Sequence, residues 1–131
     1  MGMIYASINT RFDAALRMMR VVVTYTGAKV TNDTLTDFLT RIAAIYTMKL
    51  PFVVLYDARL LRAMSPKLIL RQQKHMHQLE KDTSMLRFAV LSPKGRRFIV
   101  SKMTRSQKAH RVFSHDTPIE DINLFLLVSA P

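Results

Sequence analysis

Four histidines and nine acids are the residues of this chain able to move a proton or bind a metal, and no cysteine stands beside them. His75 and His77 are two apart, a spacing that turns them to different faces of a helix, and no His-x-x-x-His spacing places two ligands on one metal. His110 and His115 fall in or just past a short β-branched run, and Asp116 beside them sits at a turn, where starting a helix suits it better than completing a triad. Asp57 ends the strand-like run PFVVLYD, and the carboxyl ends of strands are where open α/β sheets gather ligands and partners. It has no evident catalytic partner, and pairing with Arg59, two residues on, or capping the loop is the role that suits it. The chain therefore reads as non-enzymatic, with no catalytic residue, no metal site and no cofactor.

The loop that follows Asp57 is better suited to gripping than to chemistry. Arg59 and Arg62 alternate with Leu60, Leu61 and Met64, a combination that fits an acidic or apolar partner, before Ser65 and Pro66 give a cap and a first-turn proline for the next helix. A second candidate is electrostatic. Between Arg59 and Arg111 stand fourteen Lys and Arg residues against only Glu80 and Asp82, so this segment holds essentially the whole net charge of +11. Within it Lys67, Arg71, Lys74 and Lys81 recur at helical spacing as a stripe, away from the face carrying Ile69, Met76 and Leu79. A third is the turn Ser92-Pro-Lys-Gly-Arg-Arg97, where exposed amides at a helix start, Gly95, and the cations of Lys94, Arg96 and Arg97 suit an anion, or else serve as ordinary capping with solvated bases. Its glycine spacing is not that of a Walker loop.

The elements that position these residues alternate in type. Met3 to Asn9 and Met19 to Thr26 are β-branched and aromatic runs expected to pair as an antiparallel hairpin around Arg11 to Arg17. Thr31 or Asn32 caps a helix carrying Leu35, Phe38, Leu39, Ile42, Ala43 and Tyr46 at helical spacing. Phe52 to Tyr56 is continuously apolar, as a central strand covered on both faces should be. A helix from Pro66 to about Lys81, a strand Leu86 to Leu91, a helix over Phe98 to Met103, a strand His110 to Ser114, and a last helix opened by the capping box Thr117 to Glu120 complete the order β-β-α-β-α-β-α-β-α. The sheet is expected to be mixed and mostly parallel, with its first strand antiparallel. Methionines such as Met18, Met48, Met76 and Met103 read as packing.

At 131 residues the chain is expected to be one domain, 1–131, with a single core. INLFLLV, Ile122 to Val128, is the most apolar stretch and is far too short to span a bilayer. The absence of cysteine fits a reducing compartment, and a soluble intracellular protein is expected, cytoplasmic or organellar. Ala6 stands where a myristoylation signal needs Ser or Thr, and Asp13 among the early arginines argues against a cleaved transit peptide.

The element order, VTNDTLTDFLTRIAAIYTMKLPFVVLYDARLL followed by a long helix, a strand and SPKGRRF resembles a STAS-type domain, the family of sulfate transporters and anti-sigma-factor antagonists. The resemblance implies a small non-enzymatic module that binds a protein partner, sometimes a nucleotide or lipid, over the loop after the third strand. Antagonist members carry a phosphorylatable hydroxyl directly after the strand's Asp, whereas here Ala58 follows Asp57, so the resemblance implies no switch of that kind. The expectation is a basic subunit of a larger assembly, meeting protein partners through Asp57, Arg59, Leu60, Leu61, Arg62, Met64 and Ser65. A nucleic-acid-binding protein using the basic side is the alternative, and a peripheral protein held on anionic lipid by the same charges is a third reading.

Overall fold

Two strand-forming runs joined by a four-residue turn make a hairpin, and the computed structural model, which describes residues 4–95, 106 and 108–128, extends from it into a five-stranded sheet. β1 (Ala6–Asp13) pairs antiparallel with β2 (Met18–Tyr25), Phe12 opposite Met19 and Arg11 opposite Arg20. The expected first strand, Met3 to Asn9, lies too early. Pairing with β2 draws the polar stretch Thr10 to Asp13 into the ladder, and the turn shrinks to Ala14–Arg17. There the Asp13 carboxylate accepts from the Leu16 N–H (3.1 Å), and Arg17 takes a left-handed φ of 52°, a conformation that costs a side-chain-bearing residue about 1 to 2 kcal/mol.

α1 (Asn32–Tyr46) begins on a reciprocal cap in which Thr31 and Thr34 satisfy each other's backbone N–H. Its inward stripe of Leu35, Phe38, Leu39, Ile42 and Tyr46 is buried, and Arg41, paired with Asp37 at 3.1 Å, also donates to the Ala6 carbonyl (2.8 Å) and ties the helix to β1. β3 (Phe52–Asp57) is buried on both sides and pairs parallel with β2 and with β4 (Met85–Leu91). α2 (Pro66–Leu79) and a short 3-10 turn Glu80–Asp82 join β3 to β4, and β5 (Ala109–Phe113) adds parallel at the far edge. The strands lie in chain order, β1-β2-β3-β4-β5. The sheet is therefore mixed and mostly parallel with an antiparallel first strand, as expected, while the helix predicted over Phe98 to Met103 falls outside the described residues.

Each face of the sheet has its own core. Val21, Val23, Phe52, Val54, Tyr56, Phe88 and Val90 pack under α1, with Leu68, Met76 and Leu79 of α2 partly buried against them. Val53, Leu55, Ala89, Leu91 and Phe113 meet Ile122 and Leu126 on the other face. Those two come from α3 (Ile119–Asn123) and the π-helical turn Leu124–Val128 that continues it. The capping box expected from Thr117 and Glu120 does not form. Pro118 takes the cap position without a side-chain bond, because the Thr117 hydroxyl lies against Ser114 Oγ at 3.1 Å. Among the described residues no helix is long and apolar enough to cross a membrane.

All four tyrosines are buried in the first core. Tyr5 donates to Gln72 Oε1 (3.1 Å), and the hydroxyls of Tyr46 and Tyr56 bond each other. Burial raises the pKa of every one of them above the ordinary 10.0, with Tyr25 adding to the effect on Tyr5 and the Tyr46–Tyr56 pair to that on Tyr56. Since the fold favours the phenol over the phenolate, the stability these groups contribute is full below the unfolded value near 10 and is lost as the pH climbs above it. Alkaline titration should therefore bring up phenolate absorbance and abolish the far-ultraviolet dichroism in one transition. A tyrosine that titrates while the dichroism is intact would contradict this packing.

Candidate functional site

The loop leaving β3 is built around the carboxylate of Asp57. Arg59 grips it with two side-chain bonds, Nε to Oδ1 at 2.9 Å and Nη2 to Oδ2 at 2.7 Å, while its own backbone N–H donates to Oδ1 at 3.2 Å. Partial burial alone would raise the Asp57 pKa, but the bonds and charge of Arg59 outweigh it and hold the carboxyl below its ordinary range. The arrangement is the ion pair foreseen from the spacing, and it leaves the acid occupied. Ala58 is buried with its N–H on the Leu91 carbonyl (2.8 Å), and Leu61 turns inward with its N–H on the Ala58 carbonyl (3.0 Å).

Gly27, in the β2–α1 connection, has φ +83°, a left-handed backbone that favours glycine, and a Cβ there would stand 3.4 Å from the Leu60 carbonyl, an ordinary contact. Met64 is half-buried and accepts from the Tyr5 hydroxyl (3.3 Å), and Ser65 accepts from the Leu68 N–H (3.3 Å) as the cap of α2. Leu61, Met64 and Ser65 thus hold the loop in place, and Arg59, Leu60, Arg62, Ala63 and Ser65 are exposed to solvent. Gly27 was not singled out from sequence, although a glycine directly after a strand is the signal that would have found it.

The basic stripe is redrawn by the structure. Arg71 does not belong to it, because its guanidinium reaches across to α1 and donates to the Asn32 carbonyl (3.2 Å) and to Thr36 Oγ1 (2.6 Å). The inward side of α2 is Leu68, Gln72, Met76 and Leu79, with Gln72 fully buried and Ile69 only half so. Lys67, Lys74 and Lys81 remain exposed, and Lys81 lines an open groove of about 560 Å3 with His77, Glu80 and Lys108. Arg87, counted among the regional bases, is buried and donates to the Leu126 carbonyl (2.8 Å), where it adds nothing to a surface field.

The anion candidate at Ser92 to Arg97 is only partly placed. Ser92 is buried, and both its N–H and its hydroxyl donate to the Phe113 carbonyl (3.0 and 2.6 Å), so it staples β4 to β5 and does not face outward. Lys94 and Gly95 are exposed, and Arg96 and Arg97 lie outside the described residues.

The histidines remain apart. His75 is half-buried, and its Nε2 has no hydrogen-bond partner among the described residues, while His77 is exposed. His110 stacks on Phe88 at 4.9 Å, and His115 is exposed beside Asp116, whose carboxyl is held below its ordinary range chiefly by the bond from Ser114. No cluster of three or more His, Asp or Glu able to hold a metal occurs among the described residues. Comparison of the chain with protein-family models, with curated proteins and with solved structures finds no match.

Two substitutions test this geometry. Asp57→Asn removes the charge that Arg59 grips, so trypsin should cut after Arg59 and Arg62 faster than in the wild type, at a loss of overall stability of about 1 kcal/mol for a pair with Arg59 exposed and Asp57 partly buried. Unchanged cleavage would mean that the backbone bonds of Ala58 and Leu61 hold the loop unaided. In urea denaturation, Arg71→Ala should cost about 1 kcal/mol through the lost bridge between helices, and Lys74→Ala less than about 0.5 kcal/mol. Equal effects would return Arg71 to the free stripe.

Proposed function

We propose that the chain is a non-enzymatic, STAS-like protein-interaction module, a basic subunit of a larger assembly, and that it docks an acidic partner over the loop from Asp57 to Ser65. The observation that carries this reading is Leu60. At 63% exposure it is the most exposed large apolar side chain among the described residues, and it sits on a loop held by the Asp57–Arg59 pair and by the bond from the Leu61 N–H to the Ala58 carbonyl. A mobile apolar tip loses conformational entropy on binding, whereas one already held in place loses little. Arg59 and Arg62 flank it, so an apolar anchor stands between two cations, one of them still free to meet a carboxylate.

The STAS-like reading is supported by the mixed sheet with its antiparallel first strand and by the loop's place at the carboxyl end of the central strand. Ala58 supplies no hydroxyl and is buried, and the Ser65 hydroxyl caps α2, so docking here is constitutive. The free cations Lys67 and Lys74 on α2 and Lys81 in the 3-10 turn after it extend the same charge and steer an acidic partner toward the loop.

The test is to isolate the tagged full chain from its native cells beside a Leu60→Asp, Arg62→Glu variant whose circular dichroism is unchanged. A stoichiometric protein partner should accompany the wild type and be lost from the variant. Retention of that partner by the variant overturns the proposed surface. If nucleic acid accompanies the chain instead, with log affinity falling against log salt by roughly 0.7 to 0.9 per phosphate contacted, the basic side is a nucleic-acid interface and the docking reading fails.

A further inference from the structure

The opposite end of the sheet carries a second surface that the partner loop does not use. In the β1–β2 ladder Arg11 stands directly opposite Arg20, and like charges in register destabilise a pair of strands. Arg20 reaches Asn123 Oδ1 (3.1 Å), which is neutral. Among the described residues the ion pairs are Arg41–Asp37 and Arg59–Asp57, so Arg11, Arg17 and Arg20 have no acid to balance them. Arg17 adds its left-handed backbone. Two local costs, both arginine, fall within one hairpin, which is where a functional constraint is to be sought.

Apolar side chains project from the same place. Phe12 is 50% exposed, Leu16 43% and Leu50 49%. Phe12 is at the end of β1 and Leu16 in the hairpin turn. Leu50 precedes Pro51, whose carbonyl accepts the Met19 N–H (2.9 Å) and so holds the α1–β3 connection against the hairpin. Exposed Lys49 adds a further cation there. The acid of the hairpin, Asp13, is engaged with the turn, and Glu80 and Asp82 precede β4, one strand beyond β3 and two beyond the hairpin, where the Thr83 hydroxyl donates to the Tyr46 carbonyl (2.8 Å).

We propose that this end of the sheet, formed by the β1–β2 turn and the connection into β3, docks on an anionic lipid membrane. Its cations match phosphate headgroups, and long arginine side chains reach them while aliphatic neighbours dip among the acyl chains. Leu16 and Leu50 favour lipid over nucleic acid, since neither can stack on a base and Phe12 is the sole exposed ring of the patch. The partner loop lies at the carboxyl ends of the parallel strands, so both surfaces can be occupied at once and each can fail independently.

The chain has no tryptophan, so Leu16→Trp gives a single reporter. Its emission should shift to the blue with vesicles of phosphatidylcholine and phosphatidylserine in equal parts, and stay unchanged with phosphatidylcholine alone. The double variant Arg11→Thr, Arg17→Gly removes the like-charge pair and the left-handed strain together. It should melt at a higher temperature yet sediment with the mixed vesicles about 25-fold more weakly, at about fivefold for each cation. Leu50→Ser, at an exposed position outside the ladder, should weaken binding as well, and the Leu60→Asp, Arg62→Glu variant should bind like the wild type. No binding to mixed vesicles, or undiminished binding by both the double variant and Leu50→Ser, overturns the proposal. So does a single-stranded oligonucleotide that displaces the chain from the vesicles and produces the same shift.

Discussion

The rest of the structure depends on β3 being apolar toward both faces. Phe52, Val54 and Tyr56 point into one core and Val53 and Leu55 into the other, and full burial of each such side chain is worth about 1.5 to 3 kcal/mol. A strand of this kind cannot stand at an edge or leave one face in water. It requires β2 and β4 beside it, α1 and α2 on one side, and α3 with its trailing turn on the other. The loop after β3 inherits its place from this arrangement, because the backbone that leaves the central strand is still bonded to β4 through Ala58 and Leu91.

Among the described residues the buried polar side chains of Gln72 and Arg87 have defined partners, whereas the His75 Nε2 has none. Gln72, on the buried side of an otherwise sparsely buried helix, receives the Tyr5 hydroxyl, and Arg87 carries its charge into the second core to meet the Leu126 carbonyl. A buried polar group left without such a partner costs about 1 to 3 kcal/mol, so these bonds fix how α2 and the last helical turns sit on the sheet. Burial alone is less selective, since Leu68, Met76 and Leu79 could slide against the sheet with little change in area.

What could be read in the sequence follows from how local each signal is. Thr31 with a strict apolar stripe defines α1, Ser65-Pro66 defines the start of α2, and five consecutive apolar residues define β3, because each pattern reports its own environment. β1 is different. Thr10 to Asp13 has little strand character and is held in the ladder by its register with β2, so the strand was expected several residues too early. Arg71 and Arg87 were counted as surface charge because a long cationic side chain looks the same in sequence whether it meets solvent, a neighbouring helix or a buried carbonyl. The Asp57–Arg59 pair was one of two readings open to Asp57 in the sequence, beside capping the loop, whereas the nearness of Gly27 to Leu60 joins segments more than thirty residues apart that the sequence does not bring together.

Strand order that matches chain order also bears on how the molecule assembles. The hairpin closes over a turn of four residues, and each later strand then pairs with the one made just before it, so no strand has to be threaded between two that are already bonded. A chain emerging from a ribosome can therefore build this sheet from its first strand onward, each new edge capturing the next segment as it appears. The double-faced β3 becomes fully shielded only when β4 and the last helix arrive. Until then its apolar outer face and unpaired edge are exposed on the growing intermediate, which makes the stretch between the synthesis of Asp57 and that of Leu126 the period in which the nascent protein is most open to misassembly.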